Sequence, residues 1–385
     1  MTEATVRVDG AVAPGFERVR EVFEENFATR GEVGAACSVY VDGHEVVDLV
    51  GGLVSPAGEV PYTRRTLQMV ASATKGAMAI CALRLVERGE LDLDAPVSTY
   101  WPEFAAAGKE SVPVRWLLSH RVGLPAVDEA MPMAEVYRWT QMVDALAAQR
   151  PLWEPGTAHG YHAMTYGWLI GEVLSRVTGL TPGELLAREI AEPLGIDFFV
   201  GLPDSERDRV APLLLAPAPP AGVAPDPLTM LMLDPSTLAH KAFFMPNGLF
   251  GTMNDPAAWA AQLPAANGMA TARALSTMYA ACLGEVGGVR LLAPETLRAA
   301  VSPQAEGADQ VLLVESRFGL GFQLSYPLRP MAGPGSFGHY GLGGSVGFGH
   351  PERGVAFGYV VNQMMPGGVV DPRSSALIEA VFAAA

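Results

Sequence analysis

Ser72-Ala73-Thr74-Lys75-Gly76-Ala77-Met78-Ala79-Ile80-Cys81-Ala82-Leu83-Arg84-Leu85-Val86 stands where the pattern of the chain changes. The run is apolar on nearly every face, so a helix over residues 75–88 is expected to be buried all round. Upstream, Phe16, Val19, Val22, Phe23 and Phe27 recur at helical spacing between Pro14-Gly15 and Gly31. Two β-rich runs, 35–41 and 45–50, then meet across Asp42-Gly43, a two-residue turn that suits the twist of paired strands.

Downstream, strand signals almost vanish. Helices are expected over 114–119, 133–148, 165–178, 182–190, 256–263 and 271–283. The last hundred residues return to the earlier grammar, with a helix at 294–301, β-rich runs at 318–326, 346–348 and 355–362, and a closing helix at 373–384. The economical architecture is a mixed α/β domain made from 1–75 and 290–385, with a mostly helical domain, 76–289, inserted between them. Stretch 211–235 holds Pro212, Pro217, Pro219, Pro220, Pro225, Pro227 and Pro235. It is expected to form no regular helix or central strand, but a semi-extended surface loop serving as wall or lid of a site.

The 385 residues carry Lys+Arg 26 against Asp+Glu 41, a net charge of −15, with an isoelectric point near 4.9. No long basic stretch offers the counterion exchange that nucleic acid or an anionic membrane requires, so neither partner is expected. Hydrophobic residues make up 49% of the chain, enough for a large core. Cys37, Cys81 and Cys282 lie far apart in apolar stretches and imply no disulfide framework. The first residues are polar and of mixed charge, no run of about eighteen apolar residues follows, and a cytoplasmic location is expected.

Ser72 and Lys75 are three apart, on one helical face at the first turn, where unpaired backbone N–H groups can stabilise an oxyanion. A serine hydroxyl needs a base to become a nucleophile, and a lysine among apolar neighbours is pushed toward the neutral amine that can act as one. In isolation such a pair more often means a capping serine and an exposed lysine. A second group, Glu154-Pro-Gly-Thr-Ala-His-Gly-Tyr161-His162-Ala163, places phenol and imidazole where a proton could be passed to a leaving alkoxide. A third, Gly338-His339-Tyr340-Gly341-Leu342-Gly343-Gly344-Ser345-Val346-Gly347, is a glycine-dense strand entry that lets a substrate carbonyl approach backbone amides.

Gly343-Gly344-Ser345-Val346-Gly347 also fits G-x-S-x-G, the nucleophile elbow, which needs a strand before it, a helix after it, and Asp and His further on. Ser345 is followed instead by strand, turn and strand, and the one later histidine is His350, so the elbow is rejected. His159 and His162 lack a carboxylate companion at ligand spacing, and no phosphate or dinucleotide loop occurs; neither metal nor cofactor is expected.

Taken in order, Ser72-x-x-Lys75, Trp116-Leu-Leu-Ser-His120-Arg-Val-Gly123-Leu124, Pro155-Gly-Thr with Tyr161, and His339-x-Gly341 resemble the serine β-lactamase-like superfamily. The likeness is closest to family VIII carboxylesterases, relatives of class C β-lactamases and D,D-peptidases, and it spans nearly the whole chain. It implies an α/β (α+β) fold: an antiparallel sheet flanked by helices from both chain ends, an inserted all-α domain, and an active site in the cleft between them. It implies Ser72 as nucleophile, Lys75 as its base, Tyr161 as acid/base toward the leaving alcohol, and an oxyanion hole from the backbone N–H groups of Ser72 and Leu342. His120 and Gly123 are expected to hold the helical region together.

His162, His339, Tyr340 and Gly341 are then expected at the substrate. Class C enzymes carry Tyr-x-Asn where this chain has Tyr161-His162-Ala163, and Lys-Thr-Gly where it has His339-Tyr340-Gly341. An amide that grips a lactam and a fixed cation are both replaced, the latter by a titratable imidazole. The expectation is a serine carboxylesterase acting on small or short-acyl esters, with acyl transfer and weak β-lactamase activity as side reactions. A β-lactamase or D,D-peptidase, and a binding protein without catalysis, are the alternatives, and a homo-oligomer stays open. Met131, Met133, Trp139, Phe243, Phe244 and Met245 are expected as apolar walls.

Overall fold

At Asp42 and Gly43 the backbone takes positive φ, 47° and 78°, the two-residue turn geometry whose twist matches that of the strands it joins. The turn belongs to a computed structural model that describes residues 6–128, 131–217, 225–244, 252–365 and 370–385. In chain order the strands are β1 (Val8–Val12), β2 (Gly34–Val41), β3 (His44–Gly52), β4 (Gln68–Met69), β5 (Phe198–Phe199), β6 (Met269–Ala270), β7 (Ala305–Ala308), β8 (Glu315–Phe318), β9 (Gln323–Leu324), β10 (Phe337–Tyr340), β11 (Val346–His350) and β12 (Val355–Val361). Nine form one antiparallel sheet in the order β1-β3-β2-β12-β11-β10-β9-β8-β7; β4-β6-β5 make a small second one.

The two-residue period of a strand sorts the core. On one face of β2, Ala35, Cys37 and Val39 pack in a cluster with Val19, Phe23, Leu377 and Val381 of the Glu17–Thr29 and Pro372–Ala384 helices. On the other, Ala36 and Tyr40 join the larger cluster that contains Leu275 and Tyr279 of the Ala272–Leu283 helix, and Ser38 Oγ lies 2.7 Å from Ser276 Oγ. This helix can come so close because Gly358 faces it: a Cβ there would stand 2.2 Å from the Ala272 carbonyl oxygen. It thus lies on the sheet, although its residues fall within 76–289.

The Thr74–Glu87 helix is buried along most of its length, as its composition requires. The helix expected over 133–148 is two, Met133–Val136 and Thr140–Ala148, because Trp139 between them takes a φ of 68° while its indole N–H donates to Glu172 at 2.7 Å. The proline-rich stretch holds a helix after all, Pro227–Leu233. Asp226 caps it by accepting from the N–H groups of Leu228 and Thr229, and a proline at the first helical position gives up no hydrogen bond. The three cysteines are buried and unpaired. Among the described residues, no helix is long and apolar enough to cross a membrane.

Candidate active site

Ser72 sits in a single 3-10 turn, Ala71–Ala73, that leads straight into the Thr74–Glu87 helix. The preceding residue, Ala71, takes a φ of 45°, a conformation that side chains disfavour and that tight functional turns retain. Lys75 follows one turn later and is fully buried. Its Nζ is 3.1 Å from Ser72 Oγ, 2.7 Å from the Ala163 carbonyl oxygen and 2.9 Å from that of Ala265. Burial pushes its pKa well below the usual lysine value. A neutral amine has two N–H groups and one lone pair: the carbonyls can take only the former, so the lone pair is left to face the serine hydroxyl.

The Tyr161 ring stands over that amine, its centroid 5.0 Å from Nζ. Burial raises the pKa of the phenol, so the hydroxyl keeps its proton. It lies 3.4 Å from His339 Nε2. His339 Nδ1 donates to the Tyr340 carbonyl at 2.6 Å. Burial and the nearby Lys75 bring its pKa down to about 3, which leaves a neutral ring whose bare Nε2 can accept from Tyr161. The imidazole expected to titrate is therefore held neutral.

His339 and Tyr340 end β10, and Gly341 brings the chain against the serine turn: a Cβ at Gly341 would be 2.2 Å from the Val70 carbonyl oxygen. Only glycine permits that approach, and Leu342 follows it directly. Among the described residues, neither the Ser72 nor the Leu342 backbone N–H has a protein acceptor, so both are available to an oxyanion.

Ser72, Tyr161, His339, Tyr340, Gly341 and Leu342 all line one cavity of about 220 Å³. Its apolar wall is Leu228, Met232, Phe243, Leu312 and Val314, so the proline-rich stretch does contribute to the site. Met131, Met133 and Trp139 pack instead on the main core, the Phe244 ring lies tilted against His240 with centroids 5.1 Å apart, and Met245 lies outside the described residues.

His162 is a correction. Its Nδ1 donates to the Gly160 carbonyl at 2.6 Å and its Nε2 accepts from the Leu124 N–H at 3.0 Å. Both nitrogens are committed, the ring is fully buried, and burial brings its pKa down to about 3, so nothing remains for a substrate. His120 stacks on it with centroids 5.6 Å apart and meets the Tyr161 ring at 5.1 Å, a packing role under the site. Among the described residues no group of acids, histidines and cysteines is arranged to hold a metal ion.

The sequence reading missed Asp309. This buried carboxylate accepts from the backbone N–H groups of Tyr161, Val311 and Leu312 and from the Ser316 hydroxyl, which also lies 2.9 Å from His159 Nε2. Asp-Gln-Val-Leu resembles an ordinary turn; only its distant partner marks it out.

Residues 19–381 match the Beta-lactamase family. Esterase/beta-lactamase LipL of Mycobacterium tuberculosis is 37% identical over 374 residues, covering 94% of this chain and 85% of LipL. The crystal structure of a family VIII carboxylesterase matches with a TM-score of 0.89 at 37% identity, over 98% of this chain and 100% of that one. A penicillin-binding protein homologue from Caulobacter crescentus matches with a TM-score of 0.87 at 39% identity, over 98% and 100%.

Proposed function

The chain belongs to the beta-lactamase family, and on that premise we propose that it is a serine carboxylesterase hydrolysing small or short-acyl esters through an acyl-enzyme. One observation carries the reading: the buried Lys75 amine, held by two carbonyls, directs its remaining position at Ser72.

Ser72 Oγ attacks the ester carbonyl as its proton passes to Lys75, and the oxyanion is met by the Ser72 and Leu342 amides. The ester C–O bond breaks as Tyr161 gives its proton to the departing alkoxide and recovers one from the Lys75 ammonium. Water then attacks the acyl-enzyme, its proton going to Lys75, and the acid leaves with Ser72 Oγ reprotonated. The small cavity, under the roughly 300–1,000 Å³ of drug-sized sites, supports compact substrates. Its apolar wall supports acyl transfer to an added alcohol as a side reaction.

Brief exposure to a p-nitrophenyl ester and to a serine-directed phosphonate, followed by intact mass and peptide mapping, tests this. An adduct on Ser72 is expected. Lactam turnover above ester turnover would favour an amide hydrolase, which Ala163 in place of an amide side chain argues against. No adduct and no turnover would leave a binding protein.

A further inference from the structure

Lys75 is fully buried, and among the described residues no carboxylate pairs with it. An ammonium so placed is costly, yet the proposed mechanism turns Lys75 into one each time Ser72 gives up its proton. Its three N–H groups then point to the Ala163 and Ala265 carbonyls and to Ser72 Oγ, all neutral or part of the reaction itself. The rest of the surroundings of Nζ is aromatic: it stands over the Tyr161 ring, 5.0 Å from the centroid, and over the Tyr166 ring, 5.8 Å from the centroid.

Tyr166 lies in the first turn of the Thr165–Thr178 helix and is fully buried. Gly321 makes room for its far end, since a Cβ there would stand 2.9 Å from the Tyr166 hydroxyl oxygen, and the His120 ring braces it with centroids 5.4 Å apart. Among the described residues that hydroxyl has no hydrogen-bond partner, so Tyr166 meets the amine through its ring alone. The other titratable groups close enough to feel the charge of Lys75 are His120, His162 and His339, and burial holds all three below the usual histidine value, as neutral rings. The face of a phenol ring carries negative partial charge and draws a cation far more than a neutral amine. Its attraction appears as the proton arrives, which is the condition for speeding a step rather than tightening binding.

We propose that Tyr166 is a positioning residue for the base: with Tyr161 it forms an aromatic cage that stabilises the Lys75 ammonium between uptake of the Ser72 proton and its return through Tyr161. The inference rests on the esterase reading. Tyr166 itself transfers nothing; the proton passes from Ser72 Oγ to Lys75 Nζ and on through the Tyr161 hydroxyl to the departing alkoxide.

Ring fluorination drains charge from an aromatic face at nearly constant shape. Tyr166→Phe serves as the reference, and the same substitution made with phenylalanine bearing one, two and three ring fluorines, introduced by nonsense suppression, gives the series. The chain has only three lysines, Lys75, Lys109 and Lys241, so labelling lysine Cε with carbon-13 yields three signals, and Lys75→Ala shows which one titrates with Lys75. Its pKa is expected to fall stepwise with fluorination, by about half to one unit in all, because the ammonium loses support. The acid limb of kcat/KM should move to lower pH in step, and kcat should fall about two- to tenfold with KM little changed. A ring that merely fills space would move none of these with fluorine number. The labelled-lysine titration needs no turnover: a stepwise fall in a protein that hydrolyses no ester would support the cage and overturn the esterase reading. A pKa that stays level across the series, with or without a loss of kcat, would overturn the proposal and leave Tyr166 a packing residue.

Discussion

Both carboxylate oxygens of Asp309 lie 3.1 Å from the backbone nitrogen of Tyr161, 148 residues away in the chain. The phenol is thereby positioned through its main chain, from beneath, by a group that never reaches the cavity. Asp309→Ala would leave three buried backbone N–H groups without an acceptor and should lower stability by about 2–5 kcal/mol, with kcat falling more than KM rises. Asp309→Asn, which keeps one oxygen, should recover part of both. Chemical denaturation beside steady-state kinetics checks this; an Asp309→Ala protein with wild-type kcat would remove the residue from any part in catalysis.

Tyr161→Phe keeps the ring that stacks on Phe318 at 5.8 Å and removes only the hydroxyl. The melting temperature should hardly move while kcat drops by about two to four powers of ten. Lys75→Ala should abolish turnover and also lower the melting temperature, because the Ala163 and Ala265 carbonyls lose their donor. Ser345→Ala, by contrast, should retain most activity; if it alone silenced the enzyme, Ser72 would not be the nucleophile.

On the proposed mechanism the acid limb of kcat/KM against pH should belong to Lys75, since a base must be neutral to accept the serine proton. Its lowered pKa puts that limb well below 10.5, with activity rising as pH increases through it. His162 and His339, at about 3, should add no step near pH 6.5. A limb at 6.5 that vanishes in a His339→Asn variant would make the imidazole the base.

Glu32 is buried and shares Arg373 with Asp371, two carboxylates to one guanidinium. Burial raises its pKa from 4.5 to about 7, so the folded protein binds this proton more tightly than the unfolded chain. Its contribution to stability is full below about 4.5 and is lost as pH rises through 7, by up to about 1.4 kcal/mol per pH unit. Glu32→Gln should flatten that decline in urea melts taken between these values; an unchanged slope would assign it to another group.

Gly341→Ala would drive a methyl group to 2.2 Å from the Val70 carbonyl oxygen and part Leu342 from the serine turn. A fall in kcat of at least about a hundredfold is expected, the usual effect of losing one oxyanion donor. Undiminished kcat in the folded variant would mean that the Leu342 amide is not one.

Much of this was open to sequence reasoning, for definite reasons. The hairpin at Asp42-Gly43 and the buried helix after Ser72 are local, written in turn chemistry and in composition. Ser72, Lys75 and Tyr161 could be singled out because the three-residue spacing of the first two is local and the order of the motifs resembles a known family, and the structure brings the three side chains together. What stayed hidden depends on distant partners. The fate of His162 is decided by the Gly160 carbonyl and the Leu124 amide, and that of His339 by burial next to Lys75. β1, with its central Gly10, and β10, with Gly338, lack the β-branched runs by which strands are recognised, and owe their existence to the neighbours they pair with. The break at Trp139 depends on Glu172, an anchor no helical period contains.

The sheet order pairs β2 directly with β12, Ala35 opposite Val361. A ribosome makes β2 early and β12 late. Through most of translation, then, the nascent chain shows an open strand edge whose only correct partner has not been synthesised, a template for pairing with other chains. The Leu342 amide, the proposed second oxyanion donor, arrives just as late, so the proposed site cannot be complete on an unfinished polypeptide. Soluble yield should accordingly respond more to growth temperature and to the supply of chaperones than to any adjustment of the finished fold.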